Sequence, residues 1–212
     1  MRGGWAVQCT ERGRQKKGIA DMDQSDGQLL ALYRRGDAEA LDVLVRRYKK
    51  QLFAFIINMM AGGNDADEIF QEVWFKAIRK ISQYREKNFL AWLIRIARNT
   101  IIDRWRAGRK FVTQSEKADD GLTLAERVAD GSPGPEQRVS ARDLGRRIAG
   151  AIMLLPIEQR EVVTMRVYSE LQFKEIARIQ GVSINTALAR MQYGLAKLRE
   201  SLQDEYTTLE VR

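Results

Sequence analysis

Apolar residues recur at three- and four-residue spacing along nearly the whole chain, and this spacing constrains the fold more than any other feature. It places the apolar side chains on one face of an α-helix, whereas a half-buried strand needs strict alternation. The spacing predicts helices over about 26–35, 37–60, 65–80 and 89–109, and more helices within 136–200. No alternating segment of useful length is present. We therefore expect an all-α fold.

A shift in composition divides the chain into two parts. Residues 114–137 carry six acidic and two basic side chains, and they include Pro133 and Pro135. The whole chain, in contrast, has a formal charge of +8. Proline and unbalanced charge are typical of linkers between domains. We expect two small helical domains joined by a flexible acidic linker: a first domain over 23–110, the linker over 111–135, a second domain over 136–200 and a C-terminal tail over 201–212.

Residues 1–22 are basic, lack a helical period and lack the apolar centre of a secretory signal. We expect them to form a disordered extension, or to be untranslated if translation starts at Met22. No segment of the chain reaches the roughly 18 consecutive apolar residues that a membrane span needs. The sequence therefore predicts no membrane insertion and a soluble, cytoplasmic protein.

The residue inventory excludes several kinds of catalytic site. The chain has no histidine, and Cys9 is its single cysteine. Histidine-based triads, histidine-ligated zinc, cysteine zinc clusters and internal disulfides are therefore excluded. Acidic residues at 65–72 begin a predicted helix, where the helix dipole alone favours carboxylates. We expect no metal, no cofactor and no enzymatic activity.

Residues 173–199 have the pattern of a helix-turn-helix. Gly181 permits a sharp turn, and Ser183 caps the helix that follows. On that second helix the wheel places seven residues inward: Ile184, Ala187, Leu188, Met191, Gly194, Leu195 and Leu198. An ordinary helical hairpin is the simpler alternative, but the cap and the basic end favour a helix that enters a major groove. The candidate DNA-reading residues are Ser183, Asn185, Thr186, Ala189, Arg190, Gln192, Tyr193 and Lys197.

Residues 88–110 predict a second nucleic-acid surface. One face of this helix is apolar and contains Phe89, Leu90, Leu93, Ile94, Ala97, Ile101 and Trp105. The other face is polar, and six basic residues within 95–110 oppose the single acid Asp103. That imbalance favours a surface that follows phosphates over a merely solvated face. Trp92 projects to the basic side, where packing against a neighbouring helix is favoured over base stacking.

The helix predicted over 65–81 offers a third surface. Gln71, Glu72 and Phe75 lie close to one face of it, which is typical of a surface that contacts another protein.

Together, and in this order, these segments resemble bacterial RNA polymerase sigma factors of the extracytoplasmic-function (ECF) type, in the sigma-70 family. DADEIFQEVWFKAI (65–78) is similar to the region 2 helix that docks on the clamp helices of core RNA polymerase. FLAWLIRIARNTIIDRWR (89–106) is similar to the helix that melts and reads the −10 element. Residues 155–199 are similar to region 4, which reads the −35 element and contacts the polymerase flap.

The resemblance implies a protein that makes no bonds itself. It would bind core polymerase, place two DNA-binding domains on two promoter elements, and capture an unpaired −10 base with the loop 82–88. A dedicated anti-sigma factor is an expected partner. The residues implied for the polymerase contact are Asp67, Glu68, Gln71, Glu72 and Phe75. Those implied for −10 recognition and melting are Tyr84, Asn88, Trp92, Arg95, Arg98, Asn99, Asp103 and Arg106.

Other classes fit the sequence less well. A helix-turn-helix regulator that works without docking on polymerase would need a ligand-binding or phospho-acceptor domain with strands, and no strand pattern is visible. A recombinase or nuclease would need a nucleophile or a carboxylate-metal cluster. A purely structural interaction protein would not need a basic stripe on each domain.

We expect limited proteolysis of the full chain to cut first within 114–137. Prolines, glycines and unbalanced charge oppose a packed structure there. Mass spectrometry of early fragments should therefore recover two stable pieces that match 23–110 and 136–200. Uniform resistance across this segment would contradict the two-domain organisation.

Overall fold

The computed structural model describes residues 24–60, 65–85, 87–108 and 145–210. The predicted extension over 1–22 and the predicted linker over 111–135 lie outside them, as do the last two residues of the predicted tail.

The described residues are helical, and none of them lies in a strand. The expected all-α fold is therefore confirmed for this part of the chain, and the helices of the first domain begin and end within one or two residues of the predicted bounds. No helix among them is long and apolar enough to span a membrane. The elements in chain order are α1 (Asp26–Arg34), α2 (Ala38–Met59), α3 (Ala66–Lys80), a 3₁₀ turn (Ile81–Gln83), α4 (Phe89–Gly108), helical residues 145–153, α5 (Ile157–Val167), α6 (Phe173–Gln180) and α7 (Ile184–Glu210).

One compact unit includes residues 24–50 and 80–85. Asp26 joins its helices, since Arg47 Nη1 donates to Asp26 Oδ1 at 2.6 Å and the Tyr48 hydroxyl donates to Asp26 Oδ2. Burial, followed by the hydrogen bond to Asp26, raises the pKa of Tyr48. Arg34 Nη2 also donates to the carbonyl of Ile81 at 2.9 Å. The polar contacts of this unit therefore connect the two ends of α1 to residues 21 to 47 positions away along the chain.

A second compact unit includes residues 51–79, 87–108 and 145–210. Its first part has a run of aromatic rings that crosses α2, α3 and α4. The ring centroids of Phe53 and Phe70 are 5.7 Å apart, and those of Phe70 and Trp74 are 6.3 Å apart. Phe89 continues the run at 6.3 Å from Trp74 and 5.4 Å from Trp92. Edge and tilted contacts of this kind favour one fixed packing of the three helices.

Trp92 is only 6% exposed. Its ring lies in the core against Phe89, which is the packing that was favoured over base stacking. It is therefore not on the accessible polar side of α4 in this structure, although it was included among the −10 residues. The helical wheel placed it on the basic side, but its packing against Phe89 buries it.

The turn between α6 and α7 depends on Gly181. This residue adopts φ +68° and ψ +35°, the left-handed conformation that favours glycine. The amide of Val182 then donates to the carbonyl of Ala177 at 3.0 Å, which satisfies one of the last carbonyls of α6. Ser183 Oγ accepts from the amide of Thr186 at 3.0 Å and so caps α7 as the sequence predicts.

The apolar face of α7 is narrower than the sequence predicts. Ala187 and Gly194 are buried, whereas Ile184, Leu188 and Leu195 are 45%, 37% and 47% exposed. The expectation that these three residues point inward was therefore wrong. The buried seam consists of two small residues, Ala187 and Gly194, which lie about two turns apart, and the larger apolar residues on either side stay outside the contact.

Gly194 allows α7 to approach α5 closely. A Cβ at this position would lie 3.0 Å from Val163 Cγ2 and 3.6 Å from Gln159 Cβ. We expect Gly194→Val to lower the free energy of unfolding by about 1–3 kcal/mol, the usual cost of overpacking. Urea unfolding monitored by circular dichroism measures this.

Gly150 provides the matched control because a Cβ there would meet nothing within 4 Å. Gly150→Val should change the same quantity by no more than about 0.5 kcal/mol. Equal losses at the two positions would show that the α5–α7 contact at Gly194 does not explain the effect.

Candidate nucleic-acid and polymerase interfaces

The predicted DNA-recognition surface is the exposed polar side of α7. Asn185, Thr186, Gln192, Tyr193 and Lys197 are exposed, and Ser183 lies at the start of the helix. Amide and hydroxyl groups at such positions can both donate to and accept from base edges. The structure therefore brings most of the predicted helix-turn-helix residues onto one accessible side.

Arg190 differs from its neighbours on α7. It is half-buried, as is Ala189. Its guanidinium donates to Gln180 Oε1 on α6 at 2.9 Å, so it connects the two helices of the motif. Sequence reasoning placed Arg190 on the DNA-facing side and missed this structural role.

Several charged side chains on the polar side of α4 already contact another group of the protein, although the composition of the helix indicates a stripe of free charges. Asn99 is exposed and Arg95 is half-buried. Arg106 Nη1 lies 3.8 Å from Asp103 Oδ1, and both side chains are mostly exposed. Long exposed pairs of this kind contribute little to stability, so both groups can still rearrange towards another partner.

Arg98 and Asn88 contact carboxylates from the C-terminal part of the chain. Arg98 Nε donates to Glu161 Oε1 at 2.8 Å, and Asn88 Nδ2 donates to Glu175 Oε1 at 2.6 Å. The Asn88 Oδ1 atom also accepts from the amide of Ala91 at 3.0 Å and so caps α4. Sequence reasoning identified neither glutamate. The sequence offers one signal for the contact of Glu161, because this acidic residue lies within a helix and directly precedes two apolar residues, Val162 and Val163.

Arg104 was also missed as a structural residue. It donates to Glu68 Oε1 at 2.7 Å and to Glu72 Oε2 at 3.1 Å, which ties α4 to α3. The hydrogen bond from Arg104 lowers the pKa of Glu68, while hydrogen bonds from Lys76 and Arg104 lower the pKa of Glu72. Both carboxylates stay ionised and are held in place on α3.

The exposed side of α3 is both apolar and polar. Phe75 is 61% exposed, and the Arg79 guanidinium lies 5.7 Å from the centre of its ring. Asp67 and Gln71 are exposed as well. An exposed aromatic ring with polar neighbours is typical of a protein-binding surface. The predicted polymerase-contact residues thus share one helix, with Phe75 as its most exposed large apolar side chain.

Tyr84 follows the 3₁₀ turn and is half-buried. Its carbonyl accepts from Arg34 Nη2 at 3.2 Å and from Arg85 Nη1 at 2.8 Å. These contacts fix the backbone at Tyr84. Within the described ranges, no group of three or more Cys, Asp or Glu side chains could hold a metal ion.

Comparison with known proteins identifies the two domains. Residues 44–111 match the family model for sigma-70 region 2, and residues 145–198 match that for sigma-70 region 4. The chain is 30% identical over 179 residues to the RNA polymerase sigma factor CnrH of Cupriavidus metallidurans, with 83% of this chain and 93% of CnrH covered. It is 28% identical over 174 residues to the ECF sigma factor SigW of Bacillus subtilis, with 81% of this chain and 93% of SigW covered.

Solved structures show the same fold. CnrH in complex with the cytosolic domain of CnrY superposes with a TM-score of 0.63 at 21% identity, covering 85% of this chain and 99% of CnrH. The Bartonella quintana sigma factor RpoE, in complex with the anti-sigma factor NepR, superposes with a TM-score of 0.63 at 21% identity, covering 78% of this chain and 98% of RpoE.

An all-α chain with a region 2 match, a region 4 match and a capped helix-turn-helix belongs to the sigma-70 family of RNA polymerase sigma factors. Within that family it is a sigma factor of the ECF type, which works with core RNA polymerase and promoter DNA to direct transcription initiation.

The contacts of Arg104 predict how the protein responds to acid. Because the pKa values of Glu68 and Glu72 lie below their ordinary value of 4.5 in the folded state, their ion pairs stabilise the fold above pH 4.5. This contribution is lost as the pH falls through the lowered values. Arg104→Met removes the charge, so both pKa values should rise and the acid dependence of the unfolding free energy should become shallower. Carboxyl titration by NMR, with urea unfolding between about pH 7 and 3, measures both effects.

Arg106→Met is the matched control, since among the described residues Arg106 pairs with Asp103 alone, at 3.8 Å on an exposed surface. It should leave the titration of Glu68 and Glu72 unchanged. Identical Glu68 and Glu72 pKa values in wild type and Arg104→Met would rule out the assigned role of Arg104.

Proposed function

We propose that the exposed side of α7 reads the −35 promoter element. The observation that carries this proposal is the geometry of the turn: left-handed Gly181 and the Ser183 cap position the first residues of α7 outward, with Asn185 and Thr186 exposed. Gln192 lies two turns further along the same helix and is also exposed. Side-chain amides can distinguish base edges in the major groove, and Lys197 adds attraction to the phosphates.

The polar side of α4 is proposed to read and melt the −10 element. Asn99 is exposed for contact with bases or the backbone, and Arg95 and Arg106 supply positive charge. Tyr84, in the segment before α4, supplies an aromatic surface for an unpaired base, since stacking tolerates any base. Asn88 and Arg98 are included among the proposed −10 residues because of their positions in the sequence. We also propose that the first domain spans residues 23–110 and the second domain spans residues 136–200.

The exposed side of α3 is proposed to dock on the clamp helices of core polymerase, while region 4 contacts the flap. Phe75 is its central apolar group, with Gln71 and Asp67 beside it in sequence. Glu68 and Glu72 are already engaged by Arg104 and Lys76, so they present an ordered acidic edge rather than freely moving carboxylates.

An anti-sigma factor is a further proposed partner. The structure of the Bartonella quintana relative contains an anti-sigma factor. In this chain Leu154 and Val167 are 79% and 54% exposed, and exposed apolar groups of that size suit a protein partner.

We further propose that the chain itself catalyses no bond formation and acts in the cytoplasm, where its DNA template is found.

Gln192→Ala should weaken promoter use but leave polymerase binding unchanged. Loss of a base-edge contact costs about 1–3 kcal/mol, so promoter affinity of the holoenzyme should fall by roughly fivefold or more. Run-off transcription on a promoter selected from random DNA by the wild-type holoenzyme measures this. Gln203→Ala is the matched control, because Gln203 is exposed about 16 Å further along the same helix. Equal loss in both variants would contradict the assignment of Gln192.

Phe75→Ala tests the proposed docking of α3 on core polymerase in the same assay. It should weaken binding to core polymerase by about tenfold, as expected for an aromatic anchor, and leave DNA binding by region 4 unchanged. If Phe75→Ala and Gln192→Ala impair the same step, the division of roles between α3 and α7 is wrong.

A further inference from the structure

The C-terminal end of α1 contacts the segment that carries Tyr84. Arg34 lies in the last turn of α1, and its Nη2 atom donates to the carbonyl of Ile81 at 2.9 Å and to the carbonyl of Tyr84 at 3.2 Å. Ile81 begins the 3₁₀ turn and Tyr84 directly follows it. One guanidinium group therefore contacts both ends of a turn that lies 47 to 50 residues further along the chain.

α1 is itself fixed, so Arg34 acts from a defined position. Asp26 at the start of the helix accepts from Arg47 of α2 at 2.6 Å. Leu29 and Leu30, in the middle of the helix, are buried. Burial of apolar side chains and a hydrogen bond between charged groups both oppose movement of the helix. The turn after α3 is therefore attached to a support that does not depend on DNA.

Tyr84 has further contacts within the same compact unit. Its amide donates to the carbonyl of Ile81 at 3.3 Å, and Arg85 Nη1 donates to the carbonyls of Ser82 and Tyr84, each at 2.8 Å. Burial is the main reason for the raised pKa of Tyr48, and the nearby Tyr84 contributes to it. The Tyr84 ring therefore lies near α2, while its backbone is bonded to α1.

We propose that Arg34 is a positioning residue for −10 base capture, because it holds the turn so that Tyr84 is in place before DNA binds. This proposal rests on the −10 role proposed above for Tyr84. A segment that is already ordered loses less conformational entropy on binding. If only a fraction of the molecules have Tyr84 in place, the apparent affinity falls in proportion to that fraction. α1 thereby contributes to promoter reading, although it carries none of the residues assigned to it above.

Arg34→Met tests the proposal in the full chain, because it removes both hydrogen bonds to the turn and keeps a long aliphatic side chain. Arg35→Met is the matched control, since Arg35 is the next residue, is exposed and loses the same charge. Non-specific attraction to DNA is therefore equal in the two variants. Both side chains are on the surface, so both variants should fold.

The first measurement uses no DNA. Backbone order parameters of residues 82–85 are measured by ¹⁵N relaxation in the free protein. In Arg34→Met they should fall from about 0.85, the value of rigid backbone, towards about 0.6. In Arg35→Met they should stay at the wild-type value. Unchanged order parameters in Arg34→Met, or an equal fall in both variants, would overturn the proposal without affecting the role of Tyr84.

The second measurement is binding of the holoenzyme to a fluorescein-labelled promoter fragment whose −10 region is single-stranded. Loss of stacking in Tyr84→Ala should weaken binding at least about fivefold. Arg34→Met should weaken it at least about threefold, the loss expected if Tyr84 is then in place in about one third of the molecules. Arg35→Met should match the wild type. Full affinity of Arg34→Met, with Tyr84→Ala impaired, would overturn the positioning role alone.

Abasic sites in the non-template strand distinguish positioning from a direct contact with DNA. A series of such fragments identifies the position at which the wild type loses affinity and Tyr84→Ala does not. On that fragment Arg34→Met should bind as tightly as the wild type, because Tyr84 has no base to stack on. A loss that persists there would mean that Arg34 does not act through Tyr84, and would overturn the proposal. If no such position exists, Tyr84 captures no base, and the proposed role of Tyr84 fails together with that of Arg34.

Discussion

Burial of one face of α4 sets the geometry of the surfaces around it. Phe89, Leu93, Ile94 and Ala97 have no measurable exposure, and Ile101 is 1% exposed. Each large apolar side chain contributes about 1.5–3 kcal/mol when buried, so rotating this helix about its axis would cost far more than any single polar contact stabilises. The fixed rotation points Arg104 towards α3 and Arg98 towards α5. It also leaves Asn99 exposed.

The basic residues of α4 are thereby divided among different tasks. Arg104 organises the acidic residues of α3, and Arg98 satisfies the buried Glu161. Arg106 retains an exposed, loosely paired position. A stripe that looks like one phosphate-binding surface in sequence is thus partly structural. Ion pairs and hydrogen bonds thereby connect the proposed polymerase-docking side of α3, the proposed −10 side of α4 and the proposed −35 side of α7.

Periodicity and turn chemistry predicted the helices and the helix-turn-helix because both depend on residues that are near in sequence. The Gly181 turn and the Ser183 cap are examples. The contacts of Arg104 with Glu72 and of Arg98 with Glu161 span 32 and 63 residues, and no local pattern encodes them. The exposure of Ile184 was mispredicted because a helical wheel does not show how narrow the contact between α7 and its partner helices is. The roles of single residues in promoter recognition came from the resemblance and remain predictions.

We propose that this chain places two separate reading surfaces on a promoter while it is bound to core polymerase. Transcription of fragmented genomic DNA with core polymerase plus the purified full chain, followed by sequencing of the 5′ ends of the products, tests this proposal. We expect start sites that are preceded by two shared sequence blocks at a fixed spacing, near −35 and −10, and that are absent when the chain is omitted. Start sites that share no block, or only one, would rule out two separate reading surfaces.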